Sequence, residues 1–242
     1  MLDLIMLSAH LMGDFILQPS ILAEKKKEKL RWLFLHSVIY ALPIFLAAFL
    51  CFDEKTILSP ILIICVSHHI IDYFRIKIDN NFENKNVIFC SFIVDQVIHI
   101  AIILFTIRFF SLYNKTSDIY SNFIEWKYAD TLILYFVTIL SIWTPSSVFI
   151  KKLFNYLFQN QNNSNENTNA GNIIGKLERL IISFLVLTNQ TSVIGFVLTA
   201  KSVARFKQFN QDGFAEKYLV GTLTSAAIAI ILPFIFSKYL LF

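Results

Sequence analysis

Residues 32–51 read WLFLHSVIYALPIFLAAFLC, a run without lysine, arginine, aspartate or glutamate. A helix of about 20 apolar residues is long enough to cross the hydrocarbon core of a bilayer. The rest of the chain is similar, because 56% of its 242 residues are hydrophobic and only 16% are charged. A soluble domain carries about a quarter charged residues, so this chain has too little polar surface to coat a globule. We therefore predict an integral membrane protein.

Further apolar runs predict an all-α, polytopic transmembrane bundle of about eight membrane-crossing helices. The predicted spans cover residues 2–18, 32–51, 57–74, 87–112, 129–150, 172–188, 192–208 and 217–241. The sixth and seventh form a short hairpin. Lysine and arginine concentrate in the connections that follow the odd-numbered spans, and basic flanks stay cytoplasmic. Both termini are therefore expected on the non-cytoplasmic side.

The chain is predicted to have three parts. Residues 1–150 form a five-helix transmembrane domain, residues 151–172 a cytoplasmic linker, and residues 173–242 a three-helix transmembrane part. The linker is rich in Asn, Gln and Ser, a composition that cannot bury a core. The net charge of +4 suits an anionic leaflet and needs no nucleic acid to explain it.

Three predicted spans each carry a histidine and an aspartate four residues apart. The pairs are His10 and Asp14, His68 and Asp72, and Asp95 and His99. Side chains at i and i+4 lie on one face of a helix. The order is reversed in the fourth span, which runs in the opposite direction, so every aspartate lies nearer the cytoplasm than its histidine. Such groups cost a few kcal/mol each in a membrane helix, which favours one shared site in the cytoplasmic half.

Imidazole and carboxylate together are the ligands of zinc, manganese and iron. The predicted metal ligands are His10, Asp14, His36, His68, Asp72, Asp95 and His99. This set could hold two ions, or one ion with further carboxylates that orient the imidazoles. Metal-activated water near the headgroup layer would indicate hydrolysis. His69 points about 100° away from His68, and we interpret it as structural.

Other interpretations stay open. The pairs could be a polar network that joins helices, or a pathway for cations or protons in a transporter or channel. No matching polar set continues to the outer face, which argues mildly against transport. His36 is as often an interhelical hydrogen-bonding residue as a ligand. A non-catalytic membrane component with a cytoplasmic protein partner is a third function, and a homo-oligomer is compatible with all three.

The residues of these pairs also resemble a known family. Residues 9–18 (AHLMGDFILQ), then Lys25 or Lys26, then His36, resemble the opening of a bacterial inner-membrane family named for domain of unknown function 3307 (DUF3307). Residues 67–72 (SHHIID) and 95–99 (DQVIH) resemble its next two signatures, so the likeness covers about residues 3–110. Residues 174–222 resemble the tail of longer members. The resemblance implies a multi-pass protein of the bacterial cytoplasmic membrane and supports the site residues more than any reaction.

The charged residues of that tail form a predicted C-terminal cluster. They are Glu178, Arg179, Lys201, Arg205 and Glu216. They could snorkel to the interface, pair across the hairpin, or hold an anionic headgroup. The sequence has no Walker loop, GxSxG elbow, GxGxxG fingerprint or HExxH motif, so nucleotide and serine-hydrolase chemistry have no support.

These observations predict a metal-dependent hydrolase of a lipid or lipid-linked phosphate, with one or two zinc, manganese or iron ions. Asp14, Asp72 and Asp95 are the candidate catalytic bases. The predicted substrate-binding residues are Gln18, Lys25, Lys26 and Gln96, with either lysine placed against a headgroup phosphate.

Overall fold

The computed structural model describes residues 1–158 and 168–241, which contain helices and no β-strand. The elements are α1 (Leu2–Leu11), a π-helical turn (Met12–Ile16), α2 (Ser20–Glu28), α3 (Leu30–Cys51), α4 (Leu58–Asn81), α5 (Lys85–Phe109), a 3-10 turn (Leu112–Asn114), α6 (Asp118–Ile124), α7 (Ala129–Leu157), α8 (Thr168–Leu187), α9 (Ser192–Ala204), a 3-10 turn (Phe206–Asn210) and α10 (Phe214–Leu241). The all-α prediction is confirmed. The chain divides into two compact units, Met1–Val137 and Thr138–Phe242, and the boundary falls inside α7.

Helix α3 is the centre of the first unit. It packs against α1, the π-helical turn, α2, α4 and α6. Its inner face carries Tyr40 and Ile44, which are fully buried, and the small Ala48. Small residues let helices approach closely. Its outer face exposes large apolar side chains such as Phe34 and Leu42, as expected for a helix that faces lipid.

The first helix is interrupted where its polar residues begin. At Met12 it passes into the π-helical turn, and α2, which follows Pro19, is bent by 78° from this first segment. A single π-helical turn inside a helix is often found at functional sites. Asp14 lies within the turn, and the bend lets Lys26 of α2 contact Asp72 of α4.

Gly13 lies where the π-helical turn meets α3. A Cβ atom added there would be 2.8 Å from Tyr40 Cδ2 and 3.0 Å from Tyr40 Cα. We expect Gly13→Ala to lower the free energy of unfolding by about 1–3 kcal/mol, the usual cost of overpacking, measured as a lower melting temperature in detergent. Gly195→Ala in α9 is the control, because a Cβ there meets nothing within 4 Å. Equal losses in both variants would contradict the close approach.

Four helices of the described chain are long and apolar enough to cross a membrane: α3, α5, α7 and α10. The bent pair made by α1 with its π-helical turn and α2 would be a fifth. The chain is thus a helical membrane protein, but these helices support four or five of the eight predicted spans. Helix α9 explains part of the difference, because its 13 residues extend only about 20 Å and the hydrocarbon core is about 30 Å thick. The second half of α4 carries several ionisable residues, which lower its hydropathy.

The second unit is built on α8, which packs against α9 and α10. Its buried apolar residues are Ile182, Ile194, Ala226 and Ala229. The Ser183 hydroxyl donates a hydrogen bond of 2.9 Å to the Ala229 carbonyl, which joins α8 to α10. Residues 159–167 of the predicted linker lie outside the described residues, whereas α7 extends to Leu157 and α8 begins at Thr168.

Candidate metal centre

Seven ionisable side chains meet in the interior of the first unit. They are His10, Asp14, His36, His68, Asp72, Asp95 and His99, and none exposes more than 4% of its surface. They come from α1 with its π-helical turn, α3, α4 and α5. The i,i+4 spacing places both members of each pair on the inward face of their helix. The structure therefore brings together every histidine and aspartate named above as a metal ligand.

Four of these side chains could surround one ion. Ligand atoms of Asp14, His36, His68 and Asp72 all lie within 4.8 Å of one another. His36 Nε2 is 3.2 Å from His68 Nε2, 3.3 Å from Asp14 Oδ1 and 3.4 Å from Asp72 Oδ2. In a tetrahedral site with metal–ligand bonds of about 2.0–2.2 Å, neighbouring ligand atoms are about 3.3–3.6 Å apart. We call these four residues the first group.

A second group is formed by Asp72, Asp95 and His99, whose ligand atoms also lie within 4.8 Å of one another. His99 Nδ1 is 3.7 Å from Asp95 Oδ1. Asp72 is a member of both groups. The two groups are therefore adjacent and share one carboxylate.

His10 belongs to neither group. Its Nδ1 lies 3.1 Å from the Tyr40 hydroxyl, and its ring centroid is 5.5 Å from that of His99. The ring of Tyr40 stacks on His68 with centroids 3.6 Å apart and planes 3° from parallel. Tyr40 thus contacts two of the histidines and restricts their orientation.

Two basic side chains neutralise part of the negative charge. Lys26 Nζ donates to Asp72 Oδ2 at 2.6 Å, and Arg75 donates to Asp95 Oδ2 at 2.8 Å. The Gln96 amide donates to Asp14 Oδ2 at 2.9 Å and to Asp95 Oδ2 at 3.0 Å. Gln96 therefore orients two carboxylates, and the three acidic groups face two cations.

Many polar atoms of the cluster have no hydrogen-bond partner among the described residues. They are His10 Nε2, His36 Nδ1, His68 Nδ1, Asp72 Oδ1, Asp95 Oδ1 and both ring nitrogens of His99. A buried polar atom without a partner costs about 1–3 kcal/mol. Their concentration in one place leaves donor and acceptor atoms that a bound ion could use.

A basic cleft of about 330 Å³ lies beside the cluster, between α2, the start of α3 and the end of α4. Its basic lining residues are Lys26, Lys27, Lys29 and Lys77. Lys26 connects the cleft to the cluster, because the same side chain lines the cleft and binds Asp72. With its side-chain amide in the orientation that satisfies both neighbours, Gln18 accepts from Lys26 at 2.9 Å and donates to the Asp14 carbonyl at 2.6 Å. Lys25 is exposed, with its ammonium 4.8 Å from the Trp32 ring, so it is not at the cluster.

His69 lies outside the cluster. Its Nδ1 is 2.8 Å from the Ser37 hydroxyl, an interaction between α4 and α3.

In the second unit, two of the five residues of the predicted C-terminal cluster form an ion pair. Lys201 binds the Glu178 carboxylate across the turn between α8 and α9. Within the part of the chain that the structure describes, Arg205 reaches Gln208 in the following turn, at 3.5 Å, and Glu216 is exposed. The five residues therefore do not form a single binding site within this unit.

Arg179 instead contacts the backbone of α7. It donates to the Ile142 carbonyl at 2.7 Å and to the Ser147 hydroxyl at 2.6 Å. Pro145 lies inside this part of α7 and has no amide hydrogen to give to a helical hydrogen bond. The Ser146 hydroxyl donates to the Ser141 carbonyl at 2.7 Å, so side chains supply donors where the backbone ladder is interrupted.

Sequence reasoning missed two residues of the centre. Tyr40 follows His36 by four positions and Arg75 follows Asp72 by three, so helical periodicity places each on the face of a predicted ligand. Tyrosine and arginine are not common metal ligands, and a search for ligand types alone passes over them.

The apolar helices and the buried histidine and aspartate groups define a helical membrane protein whose interior could hold a metal ion. The chain belongs to the family described as protein of unknown function (DUF3307), whose model matches residues 2–129. No curated protein and no solved structure matches the chain. The matched region contains all seven residues of the cluster, together with Lys26 and Arg75, and the tail lies beyond it.

Proposed function

We propose that the protein is a metal-dependent membrane hydrolase of a lipid or lipid-linked phosphate. Asp14, His36, His68 and Asp72 would hold the ion, which would supply Lewis-acid polarisation of a phosphoryl oxygen and a water of lowered pKa. Water adds to phosphorus, the bond from phosphorus to the lipid oxygen breaks, and an aspartate of the cluster accepts the proton of the water. The leaving oxygen takes up a proton from solvent.

The observation that carries the proposal is the spacing of the first group. Three of its separations, all from His36 Nε2, are 3.2, 3.3 and 3.4 Å, close to the edges of a zinc tetrahedron. The three atoms that meet Nε2 of His36 come from two other segments of the chain, the π-helical turn (Asp14) and α4 (His68 and Asp72). Carboxylate and imidazole donors fit zinc, manganese and iron better than magnesium or calcium, which prefer oxygen alone.

The basic cleft supports an anionic phosphate as the substrate. Lys27, Lys29 and Lys77 surround it without an aspartate among the lining residues, and Glu28 is its one acidic side chain. Lysine binds phosphate as a compact point charge. A headgroup in this cleft would lie next to Lys26 and hence next to the carboxylate that it contacts.

The proposed topology is multi-pass in a bacterial inner membrane, with about eight membrane-crossing helices, both termini on the non-cytoplasmic side and the cluster near the cytoplasm. The basic cleft lies at the end of the unit that carries Asp14 and Asp72, which suits the preference of lysine for the cytoplasmic side. The start of α1 also meets the 3-10 turn that follows α5, because the Tyr113 hydroxyl donates to the Asp3 carboxylate at 2.6 Å. A single cysteine added at either terminus of the chain should be labelled in intact cells. Labelling that occurs only after the cells are permeabilised would contradict this topology.

The metal content tests the proposal directly. Detergent-purified protein should contain at least one equivalent of a transition metal, and His68→Ala should remove most of it because one of four ligands is lost. His69→Ala is the matched control, since the neighbouring imidazole lies outside the cluster and contacts Ser37. Metal analysis by mass spectrometry, with size-exclusion chromatography to check folding, gives the result. If the wild-type protein still contains no metal after reconstitution with zinc or manganese, the proposal is overturned.

A cation or proton transporter is the second candidate, and the basic partners favour it. Lys26 and Arg75 already balance two of the three carboxylates, so one proton or one monovalent cation would neutralise the cluster. Metal-free wild-type protein would be tested for cation or proton flux into proteoliposomes. Flux that disappears in Asp95→Asn would favour transport over hydrolysis.

A further inference from the structure

We propose that the centre binds two metal ions, with the second ion held by Asp72, Asp95 and His99 and with Asp72 bridging both ions. This inference rests on the proposed function for its first ion and adds a second one beside it. The shared carboxylate carries the argument, because Asp72 offers one ligand atom to each of the two groups.

The free atoms of the second group are those that a metal ion requires. Both ring nitrogens of His99 and Oδ1 of Asp95 have no hydrogen-bond partner among the described residues. Arg75 and Gln96 hold the other oxygen, Oδ2, of Asp95. These hydrogen bonds orient the carboxylate and leave Oδ1 available. Residues that contact metal ligands commonly orient them in this way.

Asp72 has the same division between its two oxygens. Oδ2 lies 2.6 Å from Lys26 and 3.4 Å from His36, and Oδ1 has no partner among the described residues. A carboxylate with one oxygen toward each ion is suited to a pair of metals about 3.5–4 Å apart, the spacing of two-metal phosphatases and nucleases.

A purely structural polar network fits these atoms less well. A network that joins helices gains its stability from hydrogen bonds, whereas His99 makes none among the described residues. The separation of 3.7 Å between His99 Nδ1 and Asp95 Oδ1 is too long for a hydrogen bond. It is close to the separation of two ligands on one ion.

The charges predict how the second ion would bind. When the histidines are neutral, the centre has a net charge of minus one, which is the sum of the three carboxylates with Lys26 and Arg75. One divalent ion makes it singly positive, and a second makes it triply positive. Burial of such an excess is unfavourable, so the second ion should bind together with a polyanion. A phosphate group in the neighbouring basic cleft supplies that charge.

Metal stoichiometry separates this inference from the proposed function. Protein reconstituted with zinc in the presence of inorganic phosphate should hold two ions, and His99→Gln and His36→Gln should each hold one. The double variant should hold none, and His69→Gln should keep two. If the wild type holds one ion and His99→Gln also holds one, the second metal position is overturned and the hydrolase proposal stands. No bound ion in any variant would overturn both.

Manganese gives an independent measurement. Two Mn²⁺ ions bridged by Asp72 should show an exchange-coupled electron paramagnetic resonance spectrum, which His99→Gln converts to that of an isolated ion. Inorganic phosphate should tighten binding of the second ion by roughly 5–150-fold, the usual range of coupling between two sites. A headgroup requirement would appear as tightening by vesicles that contain phosphatidic acid but not by free phosphate. Two uncoupled ions would contradict the bridged arrangement, and no effect of either anion would contradict the charge argument for the second ion.

Discussion

Asp72→Ala is expected to lower the free energy of unfolding of the metal-free protein by about 3–5 kcal/mol, the usual cost of removing one partner of a buried ion pair. Asp72 and Lys26 are 1% and 8% exposed, so the substitution leaves a buried ammonium group without its carboxylate. Thermal unfolding in detergent with a chelator present measures the loss. Asp212→Ala is the control, because Asp212 is exposed.

The double variant Asp72→Ala with Lys26→Met separates charge burial from lost packing. It should recover most of the stability, because no unpaired charge remains in the interior. If the double variant is as unstable as Asp72→Ala, the ion pair is not the cause of the loss. Neither variant should bind metal at full stoichiometry, since Asp72 belongs to both groups of ligands.

Arg179→Ala is expected to destabilise the second unit by several kcal/mol. Arg179 is 2% exposed and donates to the Ile142 carbonyl and the Ser147 hydroxyl of α7. Each buried acceptor left without a donor costs about 1–3 kcal/mol. Arg179→Lys should recover only part of the stability, because a lysine cannot reproduce the forked geometry of a guanidinium. Thermal unfolding in detergent is again the measurement.

Arg205→Ala is the matched control for this prediction. Arg205 contacts Gln208 at the weak distance of 3.5 Å, so its loss should change stability by less than about 0.5 kcal/mol. A similar effect of the two substitutions would show that Arg179 is not needed to satisfy the backbone of α7. Any loss of stability in Arg179→Ala would then be due to the removal of its charge.

Much of the centre was predictable because helical periodicity is a local property. The spacing of four between His68 and Asp72, and between Asp95 and His99, places each pair on one face whatever the helices pack against. The reversal of order in the fourth predicted span then indicated that the pairs meet at one depth. All seven named residues do lie together, including His36, whose sequence context left its role open.

The grouping of those residues was not predictable. Which atoms of Asp72 and His36 approach each other depends on the rotation of α3 against α4, and rotation follows from packing rather than from periodicity. The same applies to Tyr40, whose ring stacks on His68. Hydropathy predicted eight spans, whereas four or five of the described helices are long and apolar enough to cross a membrane. Hydropathy counts apolar residues without regard to the length of the helix, as in α9.

The amino-acid sequence alone determined that the chain is helical, that it belongs in a membrane, and that histidine and aspartate share helix faces. These properties depend on composition and on the 3.6-residue period, which operate within one segment. Only the tertiary structure decided that Asp72 joins two groups of ligands, that Lys26 and Arg75 neutralise the carboxylates, and that Arg179 serves the backbone of α7. These contacts join residues far apart in the chain, and their geometry exists only once the helices have packed.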